Sequence, residues 1–260
     1  MNGTGGQVLL SEEGQVWHVR LSNPAKRNAV TWDMYDQLEE ICLRARKASD
    51  LRVLVLRGDG GQAFAAGTDI RQFVDFDGAQ GVAYEARVGR MLAALLDVPV
   101  PVVAVVEGPA VGAGLAIAAC SDLVLAGTDA VFGAPVARTL GNCLPALVIR
   151  RLQRRMGVGP AMALLRTSAL VAAEQARVAG LVLDVVDRAE LDERVSTLVA
   201  RLCAAAPLTL AAFKEIDRRI ESAEPAVDAD DILDRCYGST DFREGVQAFL
   251  EHRKPRWEGR

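Results

Sequence analysis

Apolar positions follow two rhythms along this chain. Short, dense runs of Val, Leu and Ile read as strands over residues 7–10, 15–21, 51–56, 100–106, 122–125 and 181–186. Spacings of three and four read as helices over 31–48, where Met34, Leu38, Ile41 and Ala45 share a face, and over 82–96, 144–156, 160–168 and 172–179. Gly180 stands just past the last of these, the usual place for a helix to stop. Residues 115–120 read as a helix of small side chains, suited to close packing. Polar connections separate these elements: a turn at Ser11-Glu12-Glu13-Gly14, a loop at Asn23-Pro24, a flexible acidic loop over 73–81 and an irregular loop over 132–143. Beyond Leu191 strand signal ends, and four helical patterns follow, broken near Pro207, near Pro225 and at Tyr237-Gly238. The order predicts an α/β core of repeated ββα units over 1–195 and a helical region over 196–260.

Composition narrows the function classes. A chain of 260 residues, half of them hydrophobic and a quarter charged, can bury a sizeable core. A net charge of −4 with no basic block argues against nucleic acid as a partner. The start, Met1-Asn2-Gly3-Thr4-Gly5-Gly6, has neither the basic nor the apolar part of a secretory signal, and Asn2 rules out myristoylation. The longest apolar run, near residues 98–106, is too short to span a bilayer, so no membrane partner is expected. Five scattered cysteines without CxxC spacing fit reduced thiols in a cytoplasmic protein. With only His18 and His252, a His-rich metal site is excluded and a Ser-His-Asp triad is disfavoured, so no metal and no bound cofactor are expected.

Two small-residue segments carry the candidate chemistry. Phe64-Ala-Ala-Gly67-Thr68-Asp69 and Gly108-Pro-Ala-Val-Gly112-Ala113-Gly114 each follow an apolar strand and open a helix. Glycine lets backbone approach backbone or ligand, and a helix start leaves N–H groups unpaired. Brought together, two such nests could aim two N–H donors at one oxygen, which is how an oxyanion hole is built. The alternatives are a dinucleotide site, weakened because Ile117 stands where the third glycine of GxGxxG belongs, and plain helix packing.

Taken jointly, the segments resemble the signature regions of the crotonase (enoyl-CoA hydratase/isomerase) superfamily. Similar matches are Leu21-Ser-Asn-Pro-Ala-Lys-Arg-Asn28 early, Ala172, Glu174, Ala176 and Gly180-Leu181-Val182 later, and Glu244-Gly245 through Arg253-Lys254-Pro255 at the end. The resemblance implies a crotonase-like spiral of ββα units whose C-terminal helices assemble a homotrimer or a hexamer. It implies an acyl-CoA substrate, coenzyme A entering as part of it, and a role in lipid metabolism. The Thr68 and Ala113 amides would hold the thioester carbonyl, with the Thr68 hydroxyl either a third donor or a turn cap. Ala25, Lys26 and Arg27, together with Ala66, Asp69, Ile70 and Arg71, would embrace the CoA moiety, and Asp69 and Asp122 would be structural caps.

The chain departs from that family where hydratases carry two glutamates, which align with Ala116 and Val136. Neither side chain can move a proton, so standard syn hydration and the common double-bond isomerisation lose their acid and base. Candidates for replacing them are Asp75, Asp77 and Glu85, as a proton shuttle, and Asn142, as an orienting group. Cys143 is a candidate nucleophile without a neighbouring His to activate it. The leading expectation is a lyase or isomerase working through a thioester enolate. A non-catalytic acyl-CoA-binding protein and a CoA-thioester hydrolase or dehalogenase are the alternatives.

Overall fold

The computed structural model describes residues 5–223 and 228–260; the break expected near Pro225 lies outside them. The chain opens with an antiparallel hairpin, β1 (Gln7–Glu13) and β2 (Val16–Ser22). Its strands run through the expected turn, which shrinks around Gly14 at φ +60°. Helix α1 (Trp32–Ala45) starts at Thr31, whose hydroxyl accepts the Met34 N–H. Strand β3 (Val53–Gly58) leads into the first nest, followed by a single 3-10 turn at Ile70–Phe73.

Helix α2 (Gly78–Leu96) begins inside the segment expected to be a flexible loop. Asp77 and Gln80 form a reciprocal capping box there, so the acidic stretch starts a helix. Then come β4 (Val102–Val106), β5 (Pro109–Val111), α3 (Ala113–Cys120), β6 (Leu123–Gly127) and β7 (Val131–Gly133). The irregular loop after residue 132 holds the short helix α4 (Val136–Thr139). Next are α5 (Ala146–Met156), α6 (Val158–Thr167), β8 (Leu170–Ala172), α7 (Ala173–Val178) and β9 (Asp184–Val186). The C-terminal helices are α8 (Leu191–Ala204), α9 (Pro207–Ser222), α10 (Asp230–Tyr237) and α11 (Thr240–Leu250).

Two sheets result. The larger has the order β1-β2-β3-β4-β6-β9, parallel from β2 onward; the smaller, β5-β7-β8, was not foreseen because its strands are three residues each. Alternation sorts the large sheet into layers. Val53, Val55, Val103, Val105 and Leu125 meet Leu191, Val195 and Leu198 of α8 on one face. Leu54, Leu56, Ala104, Val106 and Val124 face the main core, which α1, α2 and α3 complete.

The last helices join that core. Tyr237 of α10 and Phe242 of α11 are fully buried; Tyr237 meets Phe242 and Phe73 edge-on, and Phe242 lies tilted against Phe73. Gly81 makes this docking feasible: a Cβ there would collide with the Tyr237 ring, so the glycine lets α10 lie close on α2. Helix α9 is held by ion pairs, Lys214 to Asp122 at 2.6 Å and Arg151 to Glu221 at 2.8 Å, while its outer Phe213, Ile216 and Ile220 are exposed. Among the described residues no single helix is long and apolar enough to cross a membrane.

Candidate active site

The two nests are laced together by main-chain bonds. The Phe64 and Ala65 N–H groups both donate to the Pro109 carbonyl at 3.1 Å, and Val111 N–H donates to Ala65 at 2.9 Å. Gly67 (φ +109°) and Gly112 (φ +55°) take conformations that a Cβ resists. Gly114 has no room for a side chain, since a Cβ would strike the Ala65 carbonyl oxygen. Val30 is bonded on either side of Thr68, from its N–H to Gly67 O and from its carbonyl to Asp69 N–H. Thr68 N–H itself has no acceptor among the described residues. Ala113 is the first residue of α3, where an N–H lacks an intrahelical partner.

Thr68 and Ala113 line the same cavity, of about 530 Å³, within the usual range for a small-molecule site. One part of its wall is polar and solvent-facing. There Asp69 binds Lys26 Nζ at 2.6 Å and Arg71 Nη2 at 3.0 Å, and accepts the Arg71 backbone N–H as cap of the 3-10 turn. Ala66, Ile70, Lys26 and Arg71 line the cavity, whereas Ala25 and Arg27 lie exposed beside it and do not. The far wall is apolar, from Val88, Leu140, Leu144, Val148, Phe249 and Leu250. Ala116 and Val136 face this cavity too, leaving it without an acid at either position.

Side-chain hydroxyls gather behind the first nest. The Thr68 hydroxyl lies 2.7 Å from both Tyr35 and Tyr84 hydroxyls, which are 3.2 Å from each other. It is therefore engaged with two phenols, an arrangement neither of the expected roles anticipated. Burial pushes the Tyr35 phenol up to about 12 and Tyr84 well above its ordinary value, so both stay protonated at neutral pH.

Of the candidate acids, Glu85 is the one in the cavity wall. It is 5% exposed. Burial raises its carboxyl from 4.5 to about 8, opposed in part by the hydrogen bond that Tyr237 O–H donates to Oε1. Asn142 also lines the cavity; its Nδ2 donates to the Tyr237 oxygen at 3.0 Å, while its Oδ1 is buried without a partner. Asp77 is occupied in capping α2, and Asp75 sits in an exposed turn at φ +67°; neither lines the cavity. Burial raises the Cys143 thiol, which disfavours the thiolate a nucleophile requires. Asp122 serves structure, accepting the Val102 N–H and pairing with Lys214.

The tyrosines escaped sequence reasoning although one signal was available. The chain has only three, Tyr35, Tyr84 and Tyr237, and the hydroxyl of each bonds a polar group of this cavity. Among the described residues no group of three or more His, Cys, Asp or Glu is arranged to hold a metal ion.

Comparison with known proteins fits this architecture. The pattern that defines the enoyl-CoA hydratase/isomerase family matches residues 11–260. A probable enoyl-CoA hydratase of Bacillus subtilis is 29% identical over 257 residues, 97% of this chain and 98% of that protein. The (E)-benzylidenesuccinyl-CoA hydratase of Thauera aromatica is 30% identical, covering 97% and 99%. Among solved structures, a methylmalonyl-CoA decarboxylase in complex with 2-nitronate-propionyl-CoA superposes with a TM-score of 0.87 at 25% identity, covering 98% of this chain and 99% of that one. The crotonase-like fold expected from the signature segments is thus the fold observed, and this chain belongs to the enoyl-CoA hydratase/isomerase family.

Proposed function

We propose that this protein is an acyl-CoA lyase or isomerase that forms a thioester enolate in the cavity between its two nests. The Thr68 and Ala113 amides hold the thioester oxygen, and Glu85 moves a proton at the neighbouring carbon. The observation that carries this reading is Glu85 itself: a buried carboxyl, raised to about 8, in the wall that Thr68 and Ala113 also form. A carboxyl near neutrality can both accept and return a proton at working pH. Asp69, the other acid of the cavity wall, is tied to Lys26 and Arg71.

Each amide donor of this kind is worth about 3–4 kcal/mol at the transition state. With Ala116 and Val136 apolar, no second carboxyl activates water, which favours chemistry needing one base over syn hydration. The named relatives act on CoA thioesters, and a lyase and an isomerase can share the enolate step. Lys26 and Arg71 supply cations for the CoA phosphates, and the apolar wall from Val88 to Leu250 receives the acyl chain. The exposed apolar face of α9, with Phe213, Ile216 and Ile220, supports assembly into a homotrimer or hexamer.

The test is exchange of the α-proton of bound acyl-CoA in D2O, followed by NMR over butyryl-CoA and longer and branched saturated thioesters, whose α-carbons carry protons that an enolate step releases. Exchange that Glu85→Gln abolishes, with binding retained, is the expected result. Tight binding with no exchange on any thioester would identify a binding protein and overturn the proposal.

A further inference from the structure

The bonds around Glu85 point one way and leave one atom stranded. Asn142 Nδ2 donates to the Tyr237 oxygen, Tyr237 O–H donates to Glu85 Oε1, and Asn142 Oδ1 is buried with nothing to accept. That polarity suits a charged carboxylate, which only accepts. A protonated carboxyl gains one donor, and a proton placed on Oε1 meets the Tyr237 oxygen as its acceptor. Tyr237 then turns its own proton toward Asn142, where an amide rotated by a half-turn presents Oδ1 in place of Nδ2. The two ends of an amide are nearly the same size, so the rotation exchanges Oδ1 and Nδ2 between the same two places. The stranded oxygen is the acceptor of that second arrangement.

We infer that Tyr237 and Asn142 are positioning residues for Glu85, joined in a relay whose hydrogen bonds reverse direction as the carboxyl gains or loses its proton. The inference rests on the reading of Glu85 as a proton carrier. It explains how one carboxyl keeps its position through both halves of a proton-transfer cycle. The relay also crosses the chain, linking α2, the loop before α5 and α10.

The groups facing the Glu85 carboxyl leave it uncoupled to any fixed charge. Tyr84 comes from its own helix, Tyr35 from α1, Tyr237 from α10 and Cys143 from the loop before α5, and burial keeps all four protonated. Cys236 of α10 faces Cys143. The other charged and titratable residues of the cavity wall are the Lys26, Asp69 and Arg71 group and His252.

Protein labelled with glutamate carrying 13C at its carboxyl and 15N-asparagine tests the relay directly by NMR titration. Glu85 is identified by its loss in Glu85→Gln, and Asn142 by its loss in Asn142→Leu. The expected result is a Glu85 midpoint near 8, with the Asn142 side-chain amide signals moving at the same midpoint. In Tyr237→Phe, which keeps the ring, the Glu85 midpoint rises by about one pH unit, a tenfold change in acidity, and the Asn142 signals stop responding. Asn142 signals that stay fixed while Glu85 titrates in the wild-type protein would overturn the relay, as would an unmoved midpoint in Tyr237→Phe. Because the readout needs no substrate, α-proton exchange with a static Asn142 removes the relay alone, and a moving Asn142 without exchange removes only the catalytic reading.

Discussion

Gly112 and Gly67 meet across the two nests: a Cβ on Gly112 would stop 3.6 Å from the Gly67 Cα. Each has a positive φ, so the contact depends on two residues that tolerate that backbone without strain. The amides just downstream, at Thr68 and Ala113, share one cavity because their glycines share one contact.

Ala113→Pro isolates one of these amides. A helix accepts proline in its first turn, where the missing N–H has no partner. The variant is therefore expected to fold with a melting temperature close to that of the parent. Its kcat on a turned-over thioester should fall by about 10²- to 10³-fold, the usual loss for one oxyanion donor. Steady-state kinetics beside a thermal melt checks both halves.

Thr68→Val removes a hydroxyl and keeps an amide. Tyr35 and Tyr84 are 3.2 Å apart and can bond each other when the threonine oxygen is gone. A stability loss of about 1–2 kcal/mol is expected in urea unfolding. The Kd for acyl-CoA should change by less than about threefold, since the proposed thioester contact is main-chain.

Glu85 predicts how stability depends on pH. Its carboxyl is raised from 4.5 to about 8 in the fold, so between those values the native state holds a proton that the unfolded chain has released. Stability then falls as pH rises through this window and levels off above it. At about 1.4 kcal/mol per unit the loss amounts to a few kcal/mol. Glu85→Gln lacks this slope, so it should match the parent near pH 4 and melt at higher temperature than the parent at pH 9.

Arg151 and Glu221 form an ion pair with both side chains buried. Arg151 Nε also reaches the Ala119 carbonyl, one of those left open at the end of α3. Removing Glu221 leaves buried Arg151 with Asp217 at 4.0 Å as its remaining carboxylate: Glu221→Leu is expected to cost up to about 3–5 kcal/mol in chemical denaturation. Adding Arg151→Met to it should recover part of that loss, which a double-mutant cycle measures.

What could be read in advance divides along a physical line. The nests were legible because they are local: Gly67, Gly112 and Gly114 stand within a few residues of the amides they shape. The strands of the large sheet announced themselves through dense runs such as 102–106, buried on both faces. The smaller sheet did not, because three residues hold too little pattern to count. The start of α2 was hidden by Asp75, Asp77 and Gly78, which look like loop and prove in part to be a cap.

Side-chain partners were least legible of all. Glu85 and Tyr237 are 152 positions apart, and their contact depends on how closely α10 settles on α2. Gly81, the residue that permits this approach, reads from sequence as one more loop glycine. Tyr35 sat on the apolar face of α1 with nothing to distinguish it from core.

The docking of α10 on α2 makes the surroundings of Glu85 depend on a segment translated long after it. Both sheets, both nests and Glu85 itself emerge from the ribosome before Tyr237 does. A nascent or prematurely ended chain that lacks α10 carries its acid without the phenol that steadies it, and without Phe249 and Leu250 to close the wall. The wall around Glu85 is complete only when α10 and α11 fold back onto a scaffold made long before.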